Sequence, residues 1–176
     1  MSAGWEISLA NGTEREQRTA DQLRTILATR DVSRWTFTRT IAIEERAIPH
    51  SHPVLTLNTR HLSDDGQLLS TFLHEQIHWL VKARRSAAGA AVREIKRRYA
   101  VLPTGHPEGA TDLDGSYLHV VVNYLELVAM EEVAGEGEAA RVFDVWLNDH
   151  YTTLYGIVLD DREVIAEIVA RHGLMP

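Results

Sequence analysis

The chain has 176 residues, 44 % of them hydrophobic and 24 % charged, which suits one soluble globular domain with a real core. It contains no cysteine, so a disulfide framework, a thiolate zinc finger, an iron–sulfur cluster and a cysteine nucleophile are all excluded. Any metal chemistry must therefore draw on its nine histidines and its carboxylates, and a net charge of −7 argues against nucleic acid as a partner.

Thr13 precedes a polar stretch with Leu23, Ile26 and Leu27 at helical offsets, which predicts an amphipathic helix ending near Arg30. Trp35–Ile43 alternates and is rich in β-branched and aromatic residues, so it reads as a strand. Pro49 and Pro53 interrupt the chain before a second short strand, Val54–Asn58. Ser63-Asp-Asp-Gly opens a helix of about 20 residues that ends near Arg85, with basic residues where the helix dipole favours them. A further helix follows over Ala87–Tyr99. Residues 101–116 hold three glycines and two prolines and read as a loop. Tyr117–Val133 is nearly all apolar and reads as a buried helix. Helices are also expected over Ala139–His150 and from Asp160 to Arg171.

These elements predict a single α+β domain over residues 1–176, with a small N-terminal β-sheet followed by a mostly helical core. Residues 1–100 carry 15 basic and 11 acidic side chains, and residues 101–176 carry 3 and 14. Two solvated faces of one domain account for that asymmetry. No run approaches the ~18 apolar residues of a membrane span. The opening Met1–Glu6 lacks the basic and apolar regions of a signal peptide, so a cytoplasmic protein without a membrane partner is expected.

One motif carries chemistry. His74-Glu75-Gln76-Ile77-His78 is H-E-x-x-H and falls inside the long predicted helix. Four residues turn a helix by about 400°, which stacks the two imidazoles about 6 Å apart, as two ligands of one tetrahedral zinc require. Glu75 is offset around the helix, within reach of a water on that metal. In a chain of this composition the pattern is expected by chance roughly 0.04 times. Leu69, Phe72, Leu73, Ile77, Leu80 and Val81 bury most of this helix, and buried histidines need a partner.

His74 to His78 resembles the signature of the zincin metallopeptidases. Strands followed by the motif helix and a second buried helix also resemble the minimal zincin core, over residues 35–134. The resemblance implies a zinc-dependent hydrolase that cleaves a peptide or protein substrate. It also implies an edge strand that holds the substrate by backbone pairing, here Val54–Asn58. The chain lacks the metzincin extension after His78, and the literal N-E-x-x-x-D of gluzincins on the second helix.

The third ligand is sought on the Tyr117–Val133 helix, where His119, Asn123 and Glu126 form one polar stripe at i, i+4 and i+7. His119 and Glu126 lie about 10.5 Å apart along the axis, too far to share one ion. In gluzincins a carboxylate four residues after the third ligand orients the first motif histidine. That pattern favours His119 as the ligand, with Asn123 and Glu126 beside His74 accepting its Nδ1 hydrogen. Glu126 remains the alternative, since glutamate is the commoner third ligand from a separate helix.

For the oxyanion of a tetrahedral intermediate the candidates are Tyr155, favoured, then Tyr151, His150, Tyr117 and His106. His50 and His52 form a loop pair that a second metal would use, although such pairs are commonly solvated. Two other functions compete with the peptidase. One is a non-catalytic zincin-like module that binds a protein, and the other is a zinc hydrolase of non-peptide amides or esters.

Overall fold

A computed structural model describes residues 4–176. The chain is α+β, with seven helices and one three-stranded parallel sheet among the described residues. It packs as two compact units, Met1–Trp79 and Leu80–Pro176. No linker marks this division, because the boundary falls inside the helix that carries the H-E-x-x-H motif.

The first unit begins with strand β1 (Glu6–Leu9), helix α1 (Glu14–Thr29) and strand β2 (Thr40–Ile43), followed by strand β3 (Leu55–Leu57). The strands lie in the order β1-β2-β3, all parallel, with Ile7 beside Ile41 and Ile41 beside Leu55. Ile41, Ile43, Leu55 and Leu57 are fully buried, as are Ala20 and Leu23 of α1. Burying such branched side chains contributes about 1.5–3 kcal/mol each against leaving them in water. The motif helix α2 (Asp65–Ala83) follows, and Phe72 on it meets the Trp5 ring edge-on at 5.7 Å.

Two expectations change here. The predicted strand from Trp35 begins only at Thr40, because Ser33–Trp35 winds into a 3₁₀ turn that buries the Trp35 ring. β1 was not predicted: four residues of mixed exposure are too short for alternation to announce a strand.

The second unit is helical: α3 (Arg85–Arg98), α4 (Leu113–Ala134), α5 (Glu136–Trp146), α6 (Thr152–Asp160) and α7 (Arg162–Arg171). α4 packs against each of the other four, which explains why it is apolar around most of its circumference. It starts four residues before the predicted Tyr117, because Asp112 caps it by accepting the Gly115 N–H at 2.7 Å. α6 was not predicted either. Its pattern lacks an amphipathic rhythm, since Leu154, Tyr155 and Val158 are buried and few polar residues mark an outer face. No helix is long and apolar enough to cross a membrane among the described residues.

The α1 N-terminus is a capping box in which Thr13 and Glu16 bond each other's backbone N–H groups. Glu16 also accepts from the Asn11 side chain and from the Asn11 and Glu45 backbones, tying α1 to the chain beyond β2. Burial pushes the Glu16 carboxyl up, but these hydrogen bonds together outweigh it and hold the pKa at about 2. Its contribution to stability is present above the ordinary carboxyl value of 4.5 and is lost as pH falls towards 2. Glu16→Gln should therefore destabilise the protein at neutral pH and flatten its acid limb between those values. Urea denaturation at a series of pH values reads both effects.

Candidate metal centre

α2 presents its two motif histidines on one face, one turn apart. The Nε2 atoms of His74 and His78 approach to 3.2 Å, with ring centroids 5.0 Å apart and planes at 63°. Two imidazoles on a tetrahedral zinc at about 2.0–2.1 Å have their nitrogens about 3.3 Å apart, so this spacing suits a shared ion. His74 is only 8 % exposed and the neighbouring Glu75 6 %, which takes both from bulk water.

The residue between the histidines fixes the helix in place. Gln76 is fully buried; its Oε1 accepts from the backbone N–H groups of Phe37 and Thr38 at 2.7 and 3.0 Å, and its Nε2 donates to the Thr38 carbonyl at 2.8 Å. Three bonds from one side chain lock the rotation of α2 relative to the entry of β2. Gln76 is one of four polar residues in His74–His78, so nothing in the sequence sets its structural role apart from the motif around it.

His119 stands on α4 and its Nδ1 bonds the Gly115 carbonyl at 2.8 Å. A carbonyl only accepts, so Nδ1 carries the hydrogen and Nε2 keeps its lone pair for a metal. The ligand atoms of His74, His78 and His119 all lie within 4.8 Å of one another, a group that could hold a metal ion. Three imidazoles form a donor set that suits a transition-metal ion such as zinc, copper, iron or nickel.

Glu126, the alternative third ligand, is not in this group. It is 1 % exposed and accepts the Tyr155 hydroxyl at 2.9 Å in a buried pair. The same bond engages the favoured oxyanion donor, Tyr155, within the core, where its ring also meets Phe143 edge-on. Asn123 is fully buried and neither of its side-chain polar atoms has a hydrogen-bond partner. The bond expected from His74 Nδ1 to Asn123 is therefore not formed. An amide one turn from His119 cannot act as an acceptor unless its side chain reaches the donor.

The other candidates separate clearly. Tyr151 lies against His119 with ring centroids 4.3 Å apart, and its backbone takes the left-handed region at φ +50°, uncommon for a bulky residue. His150 bonds Asp149 and packs against Trp146 and Tyr155. The Tyr117 hydroxyl donates to the Tyr99 and Ala100 carbonyls, a structural role. His106 is exposed in the loop before α4. Its neighbour Pro107 accepts the Thr152 N–H, linking that loop to the start of α6 beside Tyr151. His50 bonds the Ile48 carbonyl and His52 stacks on Trp79, and neither joins the histidine group.

The chain matches no protein-family model, no curated protein and no solved structure.

Gln76→Ala leaves two part-buried backbone N–H groups without their acceptor and should cost roughly 1–3 kcal/mol in unfolding free energy. Asn123→Leu removes an unsatisfied amide at similar volume, so the metal-free variant should gain about 1 kcal/mol. Equilibrium urea unfolding measures both, and a loss of stability in Asn123→Leu would mean that the amide has a partner.

Proposed function

We infer that the chain is a zinc-dependent hydrolase with a zincin-like core, and that its reaction is the cleavage of peptide bonds. The observation that carries this reading is the gathering of His74, His78 and His119 around one point, with Glu75 beside the first of them in the sequence. His74 and His78 from α2 and His119 from α4 would hold the ion. A bound zinc supplies Lewis acidity, polarising a carbonyl and bringing the pKa of a water down to about 7.

The protein's own groups do the rest. His119 is fixed by its bond to Gly115, so its Nε2 is directed without loss of rotational freedom. Glu75, adjacent to His74 and buried, takes the proton of the attacking water on a carboxylate oxygen. It then carries that proton to the departing amine. Low exposure strengthens this carboxylate's interaction with a developing charge, because little water screens it. Tyr151 replaces Tyr155 as the candidate donor to an oxyanion, since its ring packs against His119 while the Tyr155 hydroxyl is bonded to Glu126.

Glu75 also separates this reading from a non-catalytic zinc module. A purely structural site is closed by four protein ligands and has no use for a buried carboxylate beside one of them.

Metal analysis of the purified protein should find one zinc per chain. His119→Ala should weaken zinc binding by 100-fold or more in competition with a chromogenic chelator, and Glu126→Ala far less. Glu75→Gln should keep the zinc and lose at least 10²-fold in peptide hydrolysis. Equal behaviour of wild type and Glu75→Gln across peptide libraries would replace the peptidase with a binding module.

A further inference from the structure

The outer edge of β3 faces away from β2, where an extended peptide would add to the sheet. In this structure the chain occupies that edge itself. The Thr56 N–H donates to the His50 carbonyl at 2.8 Å, and the His50 N–H donates to the Thr56 carbonyl at 3.1 Å, an antiparallel pair. Two residues further on, just past the end of β3, the Asn58 side chain donates to the Ala47 carbonyl at 3.0 Å. The segment 47–53, which lies between β2 and β3, thus turns back across the strand it precedes.

A second contact latches this segment to the motif helix. The Trp79 indole N–H donates to the Ser51 carbonyl at 2.8 Å, and the His52 ring stacks on the indole at 4.2 Å. Trp79 directly follows His78 in the sequence, so the latch closes one residue from a ligand histidine. Pairing at the edge itself is confined to a single residue, His50, and does not continue as a ladder. Ile48 in the same segment is 85 % exposed and takes no part in the core.

We propose that segment 47–53 is a self-inhibitory strap: it holds the outer edge of β3 in place of an extended peptide, which binds antiparallel to β3 once the strap is released. A peptide strand offers backbone partners on both sides of Thr56, where the strap offers one, so a longer ladder replaces a single bridge. The inference rests on the peptidase reading for its consequence in catalysis, but the occupied edge can be tested apart from it.

The chain has no cysteine, so His50→Cys/Thr56→Cys places one disulfide across the bridge, where antiparallel partners stand about 5.5 Å apart at Cα. The probe is a pool of fluorescein-labelled random heptapeptides, added to the zinc-loaded protein before and after reduction. The reduced form should bind and cleave the pool at least tenfold better than the oxidised form, with zinc content equal in both. Equal binding in the two forms, or no binding in either, overturns the strap. Binding that follows reduction without any cleavage keeps the strap and removes the peptidase. In a second variant, Trp79→Phe deletes the indole N–H and keeps an aromatic ring against His52. Its Thr56 amide should exchange hydrogen at least tenfold faster than in wild type, and unchanged protection would show that no latch holds the segment.

Discussion

Two imidazoles held one helical turn apart on a largely buried helix set the terms for everything else in this protein. A helix that buries Leu73 and Ile77 completely also takes His74 out of water and brings its Nε2 within 3.2 Å of the Nε2 of His78. Two neutral rings meeting in this way share one hydrogen, one Nε2 donating and the other accepting. A metal ion would take one lone pair from each of these rings and could take a third from His119.

That arrangement depends on supports outside the motif. Gln76 ties α2 to the 37–38 backbone through three hydrogen bonds from the middle of the motif. Gly115 performs the equivalent service for His119, and it does so from the first turn of α4, where the Asp112 cap holds its N–H. Added at Gly115, a Cβ would stand 3.1 Å from the Ala110 side chain and 3.2 Å from Asp112 Oδ1, so this turn leaves little room for a larger residue. The Gln76 bonds hold the helix that carries two of the imidazoles, and the Gly115 carbonyl holds the third directly.

The motif itself was legible because its spacing is tied to helical geometry. The i, i+4, i+7 stripe on α4 contains His119, whose ligand atom lies within 4.8 Å of those of His74 and His78. Element order and the α+β class were also readable, since apolar periodicity is strong in α1 and α2 and α4 is one long, nearly continuous apolar run. What escaped was short or non-local. β1 has four residues, and α6 has no polar face to give it a rhythm. Tyr151 reaches His119 only through the left-handed turn before α6, and Tyr155 instead bonds Glu126 inside the core. The expected substrate edge at Val54–Asn58 is a real strand at the sheet margin, but its outer side is covered by the preceding loop. Pattern along the chain carries no record of a segment folding back on its own neighbour.

Zinc K-edge absorption spectroscopy of the zinc-loaded protein measures the proposed ligand shell most directly. Three imidazole nitrogens at about 2.0–2.1 Å and one additional light-atom ligand are predicted, falling to two imidazoles in His119→Ala. A shell closed by four protein ligands, or a spectrum unchanged by His119→Ala, would contradict the centre described here.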